Sequence, residues 1–271
     1  MNSYRQFFTL TALQSTLSRL SSRLSPTPSQ RNWFSRHWHI LDGSAIKLLA
    51  ILFMTIDHAA CFICWRHQTF ITSFLTIGSL NITVYALMRA IGRMAFPIFS
   101  FLLIEGFIHT SNRFKYGRNL FLFALLSEIP FDLARHGAIF SPGQNVFFTL
   151  FLAYLAICAI HYFKEKKLPL AVSLFSLLII SIFLNADYGC NGFGFILILY
   201  LLHNTKIIQA VVGCCILGSR WVAGLAFIPL SMYNGKRGFI KGKFAKYLFY
   251  IYYPLHLLII YFIIRFYYLP H

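Results

Sequence analysis

The stretch Lys47-LLAILFMTIDHAACFI-Cys64 constrains the fold most: an apolar run of about one membrane thickness with Asp57-His58 near its middle. An ionised carboxylate at bilayer depth is costly, and it persists only where it faces a bundle interior, a partner or a cavity. The remaining acids obey the same logic. The chain has only seven Asp and Glu, and Glu105, Glu128, Asp132 and Asp187 lie in or beside apolar runs. Such runs occupy 46–65, 85–109, 119–134, 146–163, 168–184, 192–204, 207–218, 221–233 and 247–265. With 58% hydrophobic residues, the pattern predicts an all-α, polytopic integral membrane bundle of about nine spans, eight to ten by the same count. The two runs between 190 and 220 are short for spans and suit tilted or re-entrant helices.

The net charge of +17 needs an explanation. Nucleic-acid binding is excluded as the main reading, because the basic residues stand between apolar runs rather than on a polar domain. Most of them instead alternate along the chain as cytoplasmic loops do, which predicts a cytoplasmic N-terminus and a lipid bilayer as partner. Arg66, Arg89, Arg93, Arg135, Arg220 and Arg265 fall on the outer side or in outer span halves. Residues 1–43 form a separate basic polar arm before the membrane domain at 44–271. Arg5, Arg19, Arg23, Arg31 and Arg36 recur through the arm, with Leu17, Leu20 and Leu24 at helical spacing. It reads as disordered or as lying on anionic lipid, and its composition also suits an organellar transit peptide. The six cysteines sit mostly in apolar runs and read as small buried residues; no second pair completes a four-cysteine metal site with Cys61 and Cys64. No metal is expected.

Several constellations carry chemistry. Lys47 and His58 are eleven residues apart, about 16 Å along a helix and close to three full turns. A surface cation with a deeper histidine on a related face suits an anionic donor entering from the cytoplasm. His58 reads as a general base or proton shuttle, a structural hydrogen-bonding group, or a metal ligand. Asp57, its neighbour, is on another face and pairs with another helix. Arg89 and Arg93 share a face, and the reading favours Arg93 as partner to Asp57 or Glu128. Glu105 and His109, followed by Arg113, Lys115 and Arg118, build a polar inner mouth, with Pro97 kinking the helix above it. Ser127, Glu128 and Asp132 fall at helical spacing around Pro130 and suit a protonated amine, an arginine, or both. Asp187-Tyr-Gly189 reads as an outer turn over the same vestibule. Tyr233-Asn-Gly-Lys-Arg-Gly238 is a turn presenting Lys236 and Arg237, and Tyr253-Pro-Leu-His256 places a second buried histidine behind a proline.

At these residues the sequence resembles the TraX family, membrane proteins linked to N-terminal acetylation of F-type pilin. The resembling stretches are Leu48-LAILFMTIDH-Ala59, Ile91-GRMAFPIFSFLLIEGFIHTS-Asn112, Tyr116 through SEIPFD, Phe147-FT-Leu150, Asp187-Tyr-Gly189, Tyr233-NGKR-Gly238 and Tyr250-IYYPLH-Leu257. They cover almost everything after residue 43, in order; the basic arm stands outside them. The resemblance implies an acetyl-CoA-dependent acyltransferase of the bacterial inner membrane. It extends distantly to membrane acyltransferases that acylate surface sugars. Those carry a basic residue, ten intervening residues and a histidine on an early helix, a spacing that Lys47 and His58 match. Their paired arginines are separated by two residues, whereas Arg89 and Arg93 are separated by three.

The expectation is then acetyl transfer from acetyl-CoA to an acceptor amine or hydroxyl: a pilin N-terminus, an amino sugar or a lipid head group. His58, Asp57 and His256 would be catalytic, His256 as a candidate oxyanion donor. Lys47, Arg113, Lys115, Arg118, Lys236 and Arg237 would hold the phosphates of acetyl-CoA. Arg89, Arg93, Glu105, Glu128, Asp132 and Asp187 would face the acceptor. Two other classes use the same residues: a proton-coupled transporter relaying through Asp57, His58, Glu105 and His256, and a non-catalytic membrane organiser.

Overall fold

A computed structural model describes residues 38–268 except Ser79 and Lys241. Most of the arm expected at 1–43 lies outside the described residues. Helix α1 (Gly43–Phe62) begins where the Asp42 carboxylate accepts the Ser44 and Ala45 N–H groups, both at 2.9 Å. A single-turn α2 (Gln68–Ile71) and a hairpin, β1 (Ser73–Ile77) antiparallel to β2 (Leu80–Thr83), lead to α3 (Val84–Gly92). Then come α4 (Ala95–His109), α5 (Arg113–His136), α6 (Val146–Tyr162), α7 (Lys167–Phe183), α8 (Gly189–Leu201), α9 (Lys206–Leu217), a 3-10 stretch at Gly218–Ala226, α10 (Phe227–Ser231) and α11 (Lys243–Ile263).

The result is an all-α bundle with several apolar helices, but it does not hold nine spans. Among the described residues three segments are long and apolar enough to cross a membrane: Gly43–Arg66, Val84–His109 and Tyr247–Tyr267. The apolar runs fall on helices of about their own length, but most of those helices are too short to cross a membrane. Helices α6 and α7, at 17 residues each, reach about 25 Å, short of a roughly 30 Å hydrocarbon core. Helices α8 and α9 reach 13 and 12 residues, and the run at 221–233 is largely 3-10 turns. Helix α5 is long enough but opens on Arg113, Lys115 and Arg118.

Packing follows from where the chain tolerates close approach. Helices α3 and α4 lie along α1, α11 lies along α5, and α6 sits between α5 and α8. The second span is broken rather than kinked: α3 stops at Gly92 and α4 starts at Ala95, just before Pro97 in its first turn. Gly92 packs so closely on α1 that a Cβ there would overlap the Asp57 backbone. Gly106 yields in the same way to the Tyr116 hydroxyl, which turns Tyr116 of α5 inward.

Candidate functional site

A cavity of about 630 Å³ runs beside α1 from Lys47 to His58. Its mouth is assembled by a docking of two distant motifs. Leu41 bridges to Tyr233, the Gly43 N–H donates to the Lys236 carbonyl, and the Ser44 hydroxyl donates to the Arg237 carbonyl at 3.2 Å. Gly238, at φ 93°, packs against the Asp42 carboxylate where a side chain would collide. The Tyr233–Gly238 turn is thereby pinned to the start of α1, and Arg237 lines the cavity on the same side as Lys47. The Lys47 ammonium also lies over the Phe249 ring, 5.7 Å from its centroid.

Glu105 and His109 line this mouth 3.3 Å apart, and His203, from the turn after α8, stands 3.9 Å from the other Glu105 oxygen. Burial lowers the His203 pKa; Glu105 opposes the shift and Lys206 adds to it. The Tyr233 hydroxyl is pushed up to about 12, first by burial and then by the neighbouring Glu105 carboxylate.

The deep end is built differently. Asp57 Oδ2 accepts from Arg89 Nη1 at 2.6 Å, so Arg89 rather than Arg93 is its partner. The other oxygen, Oδ1, is buried with no hydrogen-bond partner, and Asp57 lines the cavity. His58 also lines the cavity, and its Nδ1 is 2.7 Å from His256 Nε2, with the two rings coplanar to 2°. His256 Nδ1 in turn lies 2.9 Å from the Tyr252 carbonyl oxygen.

A carbonyl only accepts, so His256 carries its proton on Nδ1. Its Nε2 then offers a lone pair, which His58 Nδ1–H satisfies. In the neutral pair the tautomers are fixed, and the lone pair of His58 is left on Nε2, the ring nitrogen away from His256. The Tyr253 ring contacts both histidines, with centroids 6.0 and 5.5 Å away. Tyr253 is 3% exposed and lines the cavity, and its hydroxyl has no hydrogen-bond partner. Asp187, Tyr188 and Phe96 close this end, the last two stacked at 3.8 Å between centroids.

Lys47, Asp57, His58, Glu105, Asp187 and Arg237 therefore line one cavity, with Arg89 and His256 directly behind it. The other expected residues are placed elsewhere. Glu128 accepts from Asn145, and Asp132 accepts from the Ser141 backbone and hydroxyl at 3.1 and 2.6 Å. Both acids hold the α5–α6 connection rather than facing the vestibule. The buried stripe of α5 runs through Gly117, Leu120 and Ala124, which leaves Lys115 and Arg118 exposed on the other face. Arg113 sits over Phe107, 4.7 Å from its centroid, and donates to His161 at 3.0 Å. The Lys236 backbone joins the turn, but the residue does not line the cavity; neither does Arg93, which caps α3. His256 stands behind His58 with both ring nitrogens engaged, so it cannot serve as an oxyanion donor.

Reasoning from the sequence passed over Tyr253 and His203. Tyr253 is three residues before His256 on one helix face, a spacing that could have flagged it. His203 has no such signal, because only the tertiary fold brings it to Glu105. Among the described residues no three metal-ligating side chains gather.

No solved structure matches the chain. A protein named "Probable fimbrial assembly protein FimC, serogroup H1", from Dichelobacter nodosus, is 29% identical over 249 residues, which cover 80% of this chain and 94% of that protein. Residues 42–264 match the family described as TraX protein. That span starts at the Asp42 cap and encloses both histidines, the Asp57–Arg89 pair and the turn at 233–238. The chain is therefore a membrane protein of the TraX family.

Proposed function

We propose that this protein transfers an acetyl group from acetyl-CoA to an acceptor amine or hydroxyl, with His58 as general base. The single observation that carries the reading is the Tyr252 carbonyl–His256–His58 chain at the closed end of a cavity with cations at its mouth. The chain lies in a bacterial inner membrane with Lys47 and Arg237 facing the cytoplasm, where acetyl-CoA is found. Its phosphates meet Lys47 and Arg237, and its thioester arm follows the apolar walls inward. The cavity volume is in the range of ordinary ligand sites.

The reacting group of the acceptor lies at the Asp187–Tyr188 end. The unpartnered Asp57 Oδ1 receives an N–H or O–H of the acceptor, and Arg89 holds the carboxylate in place. His58 Nε2 takes the proton as the acceptor nitrogen or oxygen attacks the thioester carbonyl. Positive charge that forms on His58 is shared through Nδ1–H with His256 and ends on the Tyr252 carbonyl. The Tyr253 hydroxyl donates to the developing oxyanion. The new bond to the acyl carbon remains, the C–S bond breaks, and the His58 proton passes to the departing thiolate, so the enzyme returns unchanged.

The test is label transfer from radiolabelled acetyl-CoA by purified protein in lipid nanodiscs, with bacterial membrane extract as acceptor. Label entering an extract component, and absent with His58→Ala, is the expected result. Folded protein that neither transfers label nor binds CoA, but moves protons across a vesicle membrane, would replace this reading with a transporter.

A further inference from the structure

A second cavity, of about 250 Å³, opens at the end of the bundle opposite the Lys47–Arg237 mouth. Four basic side chains from three distant segments line it: Arg66 after α1, Arg135 and His136 at the end of α5, and Arg265 after α11. No acid is among the described residues that line it; the nearby Asp132 is engaged by Ser141. Tyr261 and Ile264 form part of its apolar wall. These arginines are among the few basic residues that a positive-inside bias leaves unexplained.

Three guanidinium groups and an imidazole around one hollow repel one another. The C-terminal ends of α1, α5 and α11 offset part of that cost with their partial negative charge, and Arg66 donates to the Phe62 carbonyl. Stacking holds two of the heads in place: Arg66 lies over Trp65 at 5.0 Å and Arg135 over Phe131 at 5.5 Å. One helix end would account for one cation. It does not account for cations from three helix ends turned on a shared hollow.

We infer that this hollow is a binding site for a phosphate group, cradled by Arg66, Arg135 and Arg265. Guanidinium forks match phosphate oxygens in pairs, which lysines would not. Two sources share that chemistry. One is the head group of an anionic phospholipid of the adjoining leaflet. The other is a phosphate carried by a water-soluble molecule. The inference is independent of the acyl-transfer reading and stands or falls without it.

The experiment compares thermal unfolding of the protein in nanodiscs of pure phosphatidylcholine and in discs with one third phosphatidylglycerol, beside the double variant Arg135→Gln, Arg265→Gln. Inorganic phosphate is titrated into the phosphatidylcholine discs as a further arm. A rise in Tm with phosphatidylglycerol that the double variant loses assigns the site to lipid. A rise with inorganic phosphate, again lost in the variant, assigns it to a soluble phosphate. The apparent affinity in the responsive arm should drop roughly tenfold or more in the variant, since each interfacial cation adds appreciably to anionic binding. Equal responses of both proteins, or none from either, overturn the proposal. If the double variant does not fold, mass spectrometry of lipid retained by the unaltered protein decides for the lipid. Enrichment of phosphatidylglycerol over its bulk fraction supports the lipid site, and retention at the bulk fraction rejects it.

Discussion

The two ends of the main cavity use the same kinds of residue in opposite ways. At the deep end two pairs each join different helices: Asp57 of α1 to Arg89 of α3, and His58 of α1 to His256 of α11. At the mouth, Glu105 and His109 are one turn apart on α4, and the His109 side chain is 67% exposed. Cross-helix pairs fix ring orientation and tautomer, because neither partner can turn without losing the other. A pair within one helix at the water surface fixes neither and contributes little. On the proposed reading, the deep end suits positioned proton transfer and the mouth suits attracting and orienting charge. The groups proposed for catalysis and for binding are thus separated along one helix, about three turns apart.

Substitutions should break the two ends differently. His58→Ala is expected to lower the rate of acetyl transfer by roughly 10²- to 10⁴-fold with little change in KM for acetyl-CoA. Arg237→Ala should do the reverse, raising that KM while the maximal rate holds. The contrast fails if both variants alter the same parameter. In the proposed mechanism His256 acts only through His58, so its effect should be smaller and should depend on what replaces it. His256→Leu leaves the His58 Nδ1–H unpaired, whereas the amide oxygen of His256→Gln can still accept from it. Leucine should cost roughly 10- to 100-fold in rate and glutamine distinctly less. Equal losses in the two variants, measured under saturating acetyl-CoA, would assign His256 a packing role instead.

This division explains what was readable in the sequence. The apolar runs, the Lys47–His58 spacing and the basic turn at 233–238 are local patterns, and each found its place on a helix or at the mouth. Span number was overestimated because apolar runs as short as those at 192–204 and 207–218 were each counted as a crossing, although helices of 13 and 12 residues fall well short of the hydrocarbon core. Glu128 and Asp132 looked like site acids, since a buried carboxylate signals function only after nearby backbone donors are counted. Asn145 and Ser141 are such partners, and their closeness depends on how the α5–α6 loop folds. Arg89 and Arg93 are equally spaced candidates for Asp57. The close approach at Gly92 and the helix break after it settle which of them reaches it.

That close approach gives the next prediction. A methyl group at position 92 would overlap the Asp57 backbone, so α3 must move off α1. Gly92→Ala should destabilise the fold by about 1–3 kcal/mol, despite alanine's better helix propensity. The same shift would stretch the Arg89–Asp57 contact, so activity should fall along with Tm. Gly194→Ala serves as the control, because a Cβ there meets nothing within 4 Å. If Gly92→Ala matches that control in thermal unfolding, the α1–α3 contact is looser than the structure has it.

The smallest effect belongs to the mouth and is a matter of pH. Burial lowers the His203 pKa in the folded chain below its usual value near 6.5. Between the folded and unfolded values, the unfolded chain holds more protons at this site than the folded one. Stability therefore rises with pH through that window. Neutral His203 contributes fully above pH 6.5, and its contribution is lost as pH falls toward the lowered folded value. Glu105, 3.9 Å away, opposes the shift, so removing its charge should deepen it. Glu105→Gln should accordingly steepen the acid-side loss of Tm between pH 6.5 and 5, and His203→Asn should flatten it. If the two variants give superimposable pH profiles, the His203–Glu105 contact at the mouth is not made in solution, and the mouth is looser still than its single-helix pair implies.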